Sequence, residues 1–262
     1  MTPVALTVAG SDSGGGAGIQ ADLRTFAAFG VFGTSAITAV TAQNSMRVDA
    51  VHVIPPDVVA AQIDAVFADL AVNSVKIGML GSVDVIAAVA ERLTLHEASG
   101  IVLDPVLAAT SGARLLPERA LDALITQLLP KAHLLTPNLP EAAALTCSSV
   151  AEDEAAVIVQ ARKLLAMGPQ AVLIKGGHDV GRQSTDVLVD ADGVTRFDAE
   201  RLDVGDIHGG GCVLSSAIAA GLAQGLPLAA SIAQAKHLVS RTLAVASRQT
   251  LGSGALLLHP IS

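Results

Sequence analysis

The sequence predicts an α/β fold: a mostly parallel central sheet, helices on both faces, and a small antiparallel extension at one edge. Three observations predict it. Short apolar, β-branched runs alternate with longer Ala- and Leu-rich stretches. Nearly every run ends in Gly, Gln, Asp, Asn or Lys, so polar groups gather where parallel strands finish, the edge at which such sheets bind ligands. The 262 residues contain no Pro/Ser linker, long charge run or internal repeat, so one domain over 1–262 is expected.

Composition narrows the function. Hydrophobic residues make up 51% of the chain and aromatics 2%, with no Trp or Tyr, so the core must be built from Ala, Val, Leu and Ile. Five Phe cannot form a base-stacking platform, and a net charge of −8 argues against a nucleic-acid partner. Apolar runs are broken well before the ~18 residues of a membrane span. The opening residues lack the basic region of a secretory signal. Cys147 and Cys212 show neither metal spacing nor a disulfide framework, so a reducing cytoplasm is expected.

In order, Val4–Ala9 reads as a strand feeding the loop Gly10-Ser11-Asp12-Ser13-Gly14-Gly15-Gly16-Ala17-Gly18, then a helix from Ile19 to Phe29. This loop satisfies neither the dinucleotide fingerprint nor the Walker pattern. Ser35–Thr41 is the next strand and delivers Gln43, whose carboxamide suits a heterocycle edge or a turn bond to its own backbone. Pro55-Pro56-Asp57 starts a helix over Val58–Leu70. Strand Ser74–Ile77 ends at Gly78-Met79, where Met79 is either core or a soft wall for a flat ring. Helix Val83–Leu95 and strand Ile101–Leu103 follow.

That strand ends in Asp104, an acid whose burial demands a partner or a cation. A helix over Glu118–Leu129 precedes strand Ala132–Leu135. Asn138 and Glu141, three apart at the next helix start, suit either a hydrated Mg²⁺ or a plain helix cap. A helix over Asp153–Gly168 leads to strand Ala171–Ile174, which ends in Lys175-Gly176-Gly177-His178, a phosphate-compatible turn. Val187–Asp190 and Val194–Phe197 form a hairpin around Asp190-Ala191-Asp192-Gly193. The final helix, Leu228–Ser247, carries Lys236, which either reaches the site or is solvated; the tail from Leu251 reads as loop.

Between hairpin and final helix lies Asp206-Ile207-His208-Gly209-Gly210-Gly211-Cys212, running into an apolar Ala-rich helix. Gly209, Gly210 and Gly211 bare their amides, and the helix start adds its dipole, giving an anion cradle. A thiol there is expected to have its pKa pulled down; the alternative is an inert core cysteine. With Gly10, Gln43, Met79, Asp104, Asn138 and Lys175 on the same sheet edge, the pattern points to phosphoryl transfer.

Several segments together resemble the hydroxymethylpyrimidine/phosphomethylpyrimidine kinases of thiamine biosynthesis. They are Ala9–Asp22, Thr38–Asn44, Val75–Gly81, Leu103–Val106, Thr136–Glu141 and Ile174–His178, with the Gly-rich loop. The resemblance implies a ribokinase-like fold, ATP and Mg²⁺, and often a homodimer. It implies that Gln43 reads the aminopyrimidine edge, Gly10 and Met79 line the ring, and Asp22 is a further pocket residue. It gives Asp104 and Glu141 to Mg²⁺, Lys175, Lys236 and Asn138 to the nucleotide, Gly209–Cys212 to the anion hole, and Cys212 the role of base. The family's loop resembles Gly-Thr-Gly-Cys-Thr, so the hydroxyls expected at Gly210 and Val213 are missing here, and Gly252-Ser253-Gly254-Ala255 departs from the usual ending. Pyridoxal kinase on the same frame and a non-catalytic pyrimidine- or nucleotide-binding regulator are the alternatives.

Overall fold

The computed structural model describes residues 2–109, 112, 114–176, 183–202, 204–247 and 251–260. Its centre is a nine-stranded sheet in the order β3-β2-β1-β4-β5-β6-β7-β8-β9. The six inner strands run parallel: β2 (Phe32–Gln43), β1 (Val4–Asp12), β4 (Ser74–Ile77), β5 (Ile101–Leu103), β6 (Leu134–Leu135) and β7 (Val172–Ile174). Antiparallel strands close both edges: β3 (Val48–Val53) on β2, and the hairpin β8 (Gln183–Asp190) and β9 (Gly193–Glu200) on β7.

The central strands β4, β5, β6 and β7 are buried on both faces, and β5, β6 and β7 read as unbroken apolar runs, as buried parallel strands do. On one face they pack against α2 (Pro56–Asp69), α3 (Val83–Leu95), α5 (Leu139–Leu145) and α6 (Glu154–Leu165). On the other they pack against α1 (Gly18–Ala28), α7 (Gly210–Ala223) and α8 (Leu228–Ala246). Helix α7 is buried almost throughout. Its Ala-rich surface lets helices approach closely: a Cβ on Gly221 would lie 2.7 Å from the Ser231 Oγ of α8. Phe26 is the one fully buried aromatic among the described residues, so the core is the aliphatic one that composition requires.

Four expectations are corrected. Strand β3, unmarked in the sequence reading, pairs antiparallel with β2; its side chains are largely exposed, which removes the apolar pattern a core strand would show. Glu118–Lys131 is not one regular helix. It winds as a 3₁₀ turn, one α turn (α4, Leu121–Ala123), a π stretch over Leu124–Leu128 and a further 3₁₀ turn ending at Pro130-Lys131. The hairpin strands are longer, spanning eight residues each. The tail is not all loop: β11 (Leu256–Leu257) runs parallel to β10 (Ile207–His208). Gly177 and His178 lie outside the described residues.

Two register shifts interrupt the ladders at the strand ends near the site. The β1–β2 register slips between Ala9 and Ser11, at Gly10, and the β2–β3 register slips between Ala42 and Gln43.

Candidate active site

A cavity of about 1120 Å³ opens at the carboxyl edge of the parallel strands. Twelve sequence-predicted residues line it: Gly10, Gln43, Met79, Asp104, Asn138, Glu141, Lys175, Gly209, Gly210, Gly211, Cys212 and Lys236. Asp22 does not. It is fully buried beneath the cavity wall, where it accepts from Lys76 Nζ (2.9 Å to each oxygen), Thr7 Oγ1 (2.6 Å) and Ser216 Oγ (2.6 Å). In place of a pocket contact, the structure gives Asp22 a buried ion pair. Lys76, in mid-strand, had no assigned role.

One end of the cavity is formed by a helix start. Helix α7 has Gly209 as its N-cap, in the left-handed region (φ 85°), with no side-chain cap over its first amides. A Cβ on Gly209 would fall 1.9 Å from Gly16 O, so only glycine lets the two glycine-rich loops meet here. A Cβ on Gly211 would lie 3.0 Å from Lys175 Nζ and 3.6 Å from Asp104 Oδ2. The lysine and the acid therefore stand directly at the helix start.

Lys175 Nζ donates to Asp104 Oδ1 at 2.7 Å and lies 3.9 Å from Glu141 Oε2. Thr136 and Ser215 hydroxyls also approach Asp104, at 3.3 and 3.4 Å. Burial pulls the Lys175 ammonium down, but Asp104 and then Glu141 outweigh it and hold it raised. Burial pushes Glu141 up to about 7, aided by the neighbouring Asp104 and opposed by Lys175. Two carboxylates thus face one ammonium.

Asn138 and Glu141 form a reciprocal capping box, Asn138 Oδ1 accepting from the Glu141 amide and Glu141 Oε2 from the Asn138 amide, both at 2.8 Å. The same Oε2 is the one 3.9 Å from Lys175, and the carboxylate also accepts from the Leu107 amide. Lys236 is neither solvated nor free: it pairs with Asp186 at 2.7 Å, and Asp186 also accepts from the Gly176 amide at 2.9 Å.

Cys212 is the third residue of α7. Burial raises its thiol to about 11, against the pull of Lys76. This corrects the expected lowering: loss of solvation exceeds what the helix start and the cation return. Val213 points into the core behind α7, so a hydroxyl there would not face the cavity. At Gly210 a Cβ would meet only Ile207 Cγ2, at 3.3 Å.

The other end of the cavity is flat and hydrogen-bonded. A Cβ on Gly10 would meet Met79 Sδ at 3.2 Å, so glycine and thioether together leave a smooth wall. Gln43 stands beside it, between Thr41 and His208. His208 and its partner Asp12, 2.8 Å apart, were quoted in the sequence motifs without a role. They are 196 positions apart, and no spacing rule connects them.

A nine-stranded, mostly parallel sheet with antiparallel edges, and a glycine-started helix facing Lys175 and Asp104, define a small-molecule kinase of the ribokinase-like class. The phosphomethylpyrimidine kinase family model matches residues 12–259. A hydroxymethylpyrimidine/phosphomethylpyrimidine kinase of Rhizobium meliloti is 49% identical over 254 residues, 97% of this chain and 95% of that one. The crystal structure of phosphomethylpyrimidine kinase from Clostridium difficile superposes with a TM-score of 0.82 at 38% identity, covering 92% of this chain and 99% of that one. An ADP complex of Bacillus subtilis pyridoxal kinase gives 0.89 at 32% identity, covering 99% and 98%. The chain belongs to the phosphomethylpyrimidine kinase family.

Proposed function

We propose that this chain transfers the γ-phosphoryl group of ATP to the hydroxymethyl oxygen of 4-amino-5-hydroxymethyl-2-methylpyrimidine, and then to the resulting monophosphate, giving the diphosphate used in thiamine biosynthesis. The observation that carries the reading is Lys175 and Asp104 standing at the open amides of α7. Phosphoryl transfer asks little covalent chemistry of a protein; it asks for alignment and neutralised charge. The α7 amides and Lys175 hold the phosphoryl oxygens as charge develops on them. The Met79–Gly10 wall and Gln43 hold the aminopyrimidine.

Among the described residues, no cluster of three or more His, Cys, Asp or Glu could hold a metal alone. Mg²⁺ needs no such cage, since it keeps waters and substrate phosphates around one or two carboxylates. Asp104 and Glu141 fit it: both are buried beside one cation, and Glu141 is raised partly by Asp104. When bound there, Mg²⁺ supplies positive charge against the phosphates.

Cys212 accepts the proton of the attacking hydroxyl. With its thiol near 11, the thiolate fraction rises about tenfold per pH unit below that value. The first transfer should therefore accelerate with pH from 6.5 to 9. The second, whose attacking phosphate oxygen is already ionised, should not. Cys212→Ala should lower the first transfer by about 10²–10⁴-fold and the second much less. Equal losses in the two steps would remove the base role.

Product analysis with Mg-ATP tests the function: the aminopyrimidine should yield its mono- and diphosphate. No ADP release would instead favour a pyrimidine-binding regulator. The second reading, a pyridoxal kinase, rests on the superposition at 32% identity over nearly the whole chain; kcat/KM for the two alcohols separates them. Exposed Phe32, Val40, Met46 and Val51 on or beside the β2–β3 ribbon support a homodimer, which sedimentation would test. Two unpaired cysteines support a reducing, cytoplasmic setting, and among the described residues no helix is long and apolar enough to cross a membrane. The single central sheet supports one domain over 1–262.

A further inference from the structure

Asp186 lies on β8 one residue before Val187, which pairs with Ile174 at the end of the β7–β8 ladder. It therefore arrives beside the turn Lys175-Gly176. Its carboxylate is buried, and both oxygens are engaged. Oδ1 accepts from the Gly176 amide at 2.9 Å, and Oδ2 forms the 2.7 Å ion pair with Lys236 Nζ. A Cβ on Gly176 would fall 1.8 Å from Thr185 O, so the turn packs directly on the β8 backbone. From the other side, the Lys175 amide donates to the Pro137 carbonyl at 2.9 Å.

Lys236 comes from a different layer of the fold, α8, and lines the cavity together with Asp186, Lys175 and Gly211. The ion pair thus ties the second lysine to the residue that follows the first. A lysine on its long flexible stem samples many positions unless something holds it. Its ammonium carries three N–H groups, so pairing with one carboxylate leaves donors for a second anion.

Charge alone does not account for an acid here. Asp104 and Glu141 already face Lys175, and a third carboxylate in the same cavity repels a polyphosphate. Geometry does account for it. Only a carboxylate gives an acceptor to the Gly176 amide and an anion to Lys236 at the same time.

We infer that Asp186 is a positioning residue that fixes the Lys236 ammonium in register with Lys175, so that both lysines meet the phosphates of one nucleotide at a set spacing. This rests on the reading of Lys175 and Lys236 as nucleotide residues. Asp186 acts through Lys236.

The experiment measures KM for ATP and for 4-amino-5-hydroxymethyl-2-methylpyrimidine in Asp186→Asn, Lys236→Met and the double variant. KM does not depend on how much of a variant folds. Asn has one oxygen for two partners, and its amide nitrogen repels whichever of them it faces. Asp186→Asn should raise KM for ATP by about 10-fold or more, the scale of one bond to a charged group, and leave the pyrimidine KM within about twofold. Removing a negative charge that had no positioning role would instead lower KM for ATP, and that sign overturns the proposal. An equal rise in both KM values also overturns it. Lys236→Met should raise KM for ATP at least as far, and adding Asp186→Asn to it should change that KM by less than about twofold, because the group through which Asp186 acts is gone. The double variant leaves no ammonium without its partner, so it decides the matter even where Asp186→Asn alone does not fold: a further rise of about 10-fold over Lys236→Met sinks the proposal. If Lys236→Met leaves KM for ATP unchanged, the nucleotide reading of Lys236 is wrong and the inference falls with it. A rise in Lys236→Met with none in Asp186→Asn overturns only the role of Asp186.

Discussion

Two buried lysine–carboxylate groups sit under the same sheet edge, and they are built to opposite ends. Lys76 and Asp22 are fully buried and matched one to one, with Thr7 and Ser216 hydroxyls completing the carboxylate. Lys175 faces two carboxylates, Asp104 and Glu141, and lines the cavity. The first group borders the cavity through Lys76 but is closed to solvent: its charges cancel, and it joins β4 to α1 and α7. The second carries one acid too many for its lysine and opens toward the helix start proposed to receive phosphate. Balance marks structure, and imbalance at an open edge fits the cation and anion proposed to bind there. Cys212 lies between the two groups, feeling Lys76 and Asp22 from one side and Asp104 from the other.

The comparison is broken most severely at the closed pair. Asp22→Asn leaves Lys76 buried with no counter-charge and should cost about 3–5 kcal/mol in urea unfolding. A loss under about 1 kcal/mol would mean that the pair is not a structural unit. At the open cluster the cost should move from stability to rate. Lys175→Met should lower kcat by about 10²–10³-fold, with a much smaller change in unfolding, since Glu141 can take up a proton when its cation is gone. A stability loss matching that of Asp22→Asn would erase the distinction.

A gentler test uses pH. Glu141 is raised from 4.5 to about 7 in the folded chain, so the folded state binds more protons than the unfolded state between those values. Stability attributable to Glu141 is therefore present at low pH and lost as pH rises to about 7. Glu141→Gln keeps the cap acceptor without that charge. Its advantage over the parent, read as Tm, should grow from pH 4.5 to 7 and then stay flat at about 1–3 kcal/mol, while Mg²⁺-dependent turnover falls. A pH-independent difference would discard the shifted carboxyl. The smallest effect belongs to Gly210→Thr, which meets only Ile207. It should stabilise the helix start by up to about 1 kcal/mol and lower the KM for ATP by about 2- to 10-fold. Any loss of folding would show that the space is not there.

The open cluster was legible in the sequence because Asp104 and Lys175 each end an apolar run and Glu141 opens a helix just past another. Asp104 follows Ile101–Leu103 and Lys175 follows Ala171–Ile174, and a charge at that place must face a ligand or a partner. The closed pair was not. Lys76 inside Ser74–Ile77 signals that some carboxylate must meet it, yet Asp22 lies 54 positions away on a helix. Asp22 was placed in the pocket because its motif touches the pocket; packing of α1 turns its side chain inward. The Cys212 thiol was misjudged because the helix start is visible in sequence and the depth of burial is not. Strand β3 and the β10–β11 pair were missed because exposed or two-residue strands leave no apolar period to detect.

The contact between the Gly16 and Gly209 backbones also fixes when the enzyme can begin to work. Asp12 and His208 are 196 positions apart, so at ordinary elongation rates of ~5–20 residues per second roughly 10–40 s separate the emergence of the two loops from the ribosome. During that interval the first loop has no partner and the cavity lacks a wall. A nascent chain can pair β1 with β2 and cover them with α1, but it cannot hold ATP in a finished site. Catalytic competence is thus a late event in the synthesis of each molecule, set by the order in which two glycines arrive.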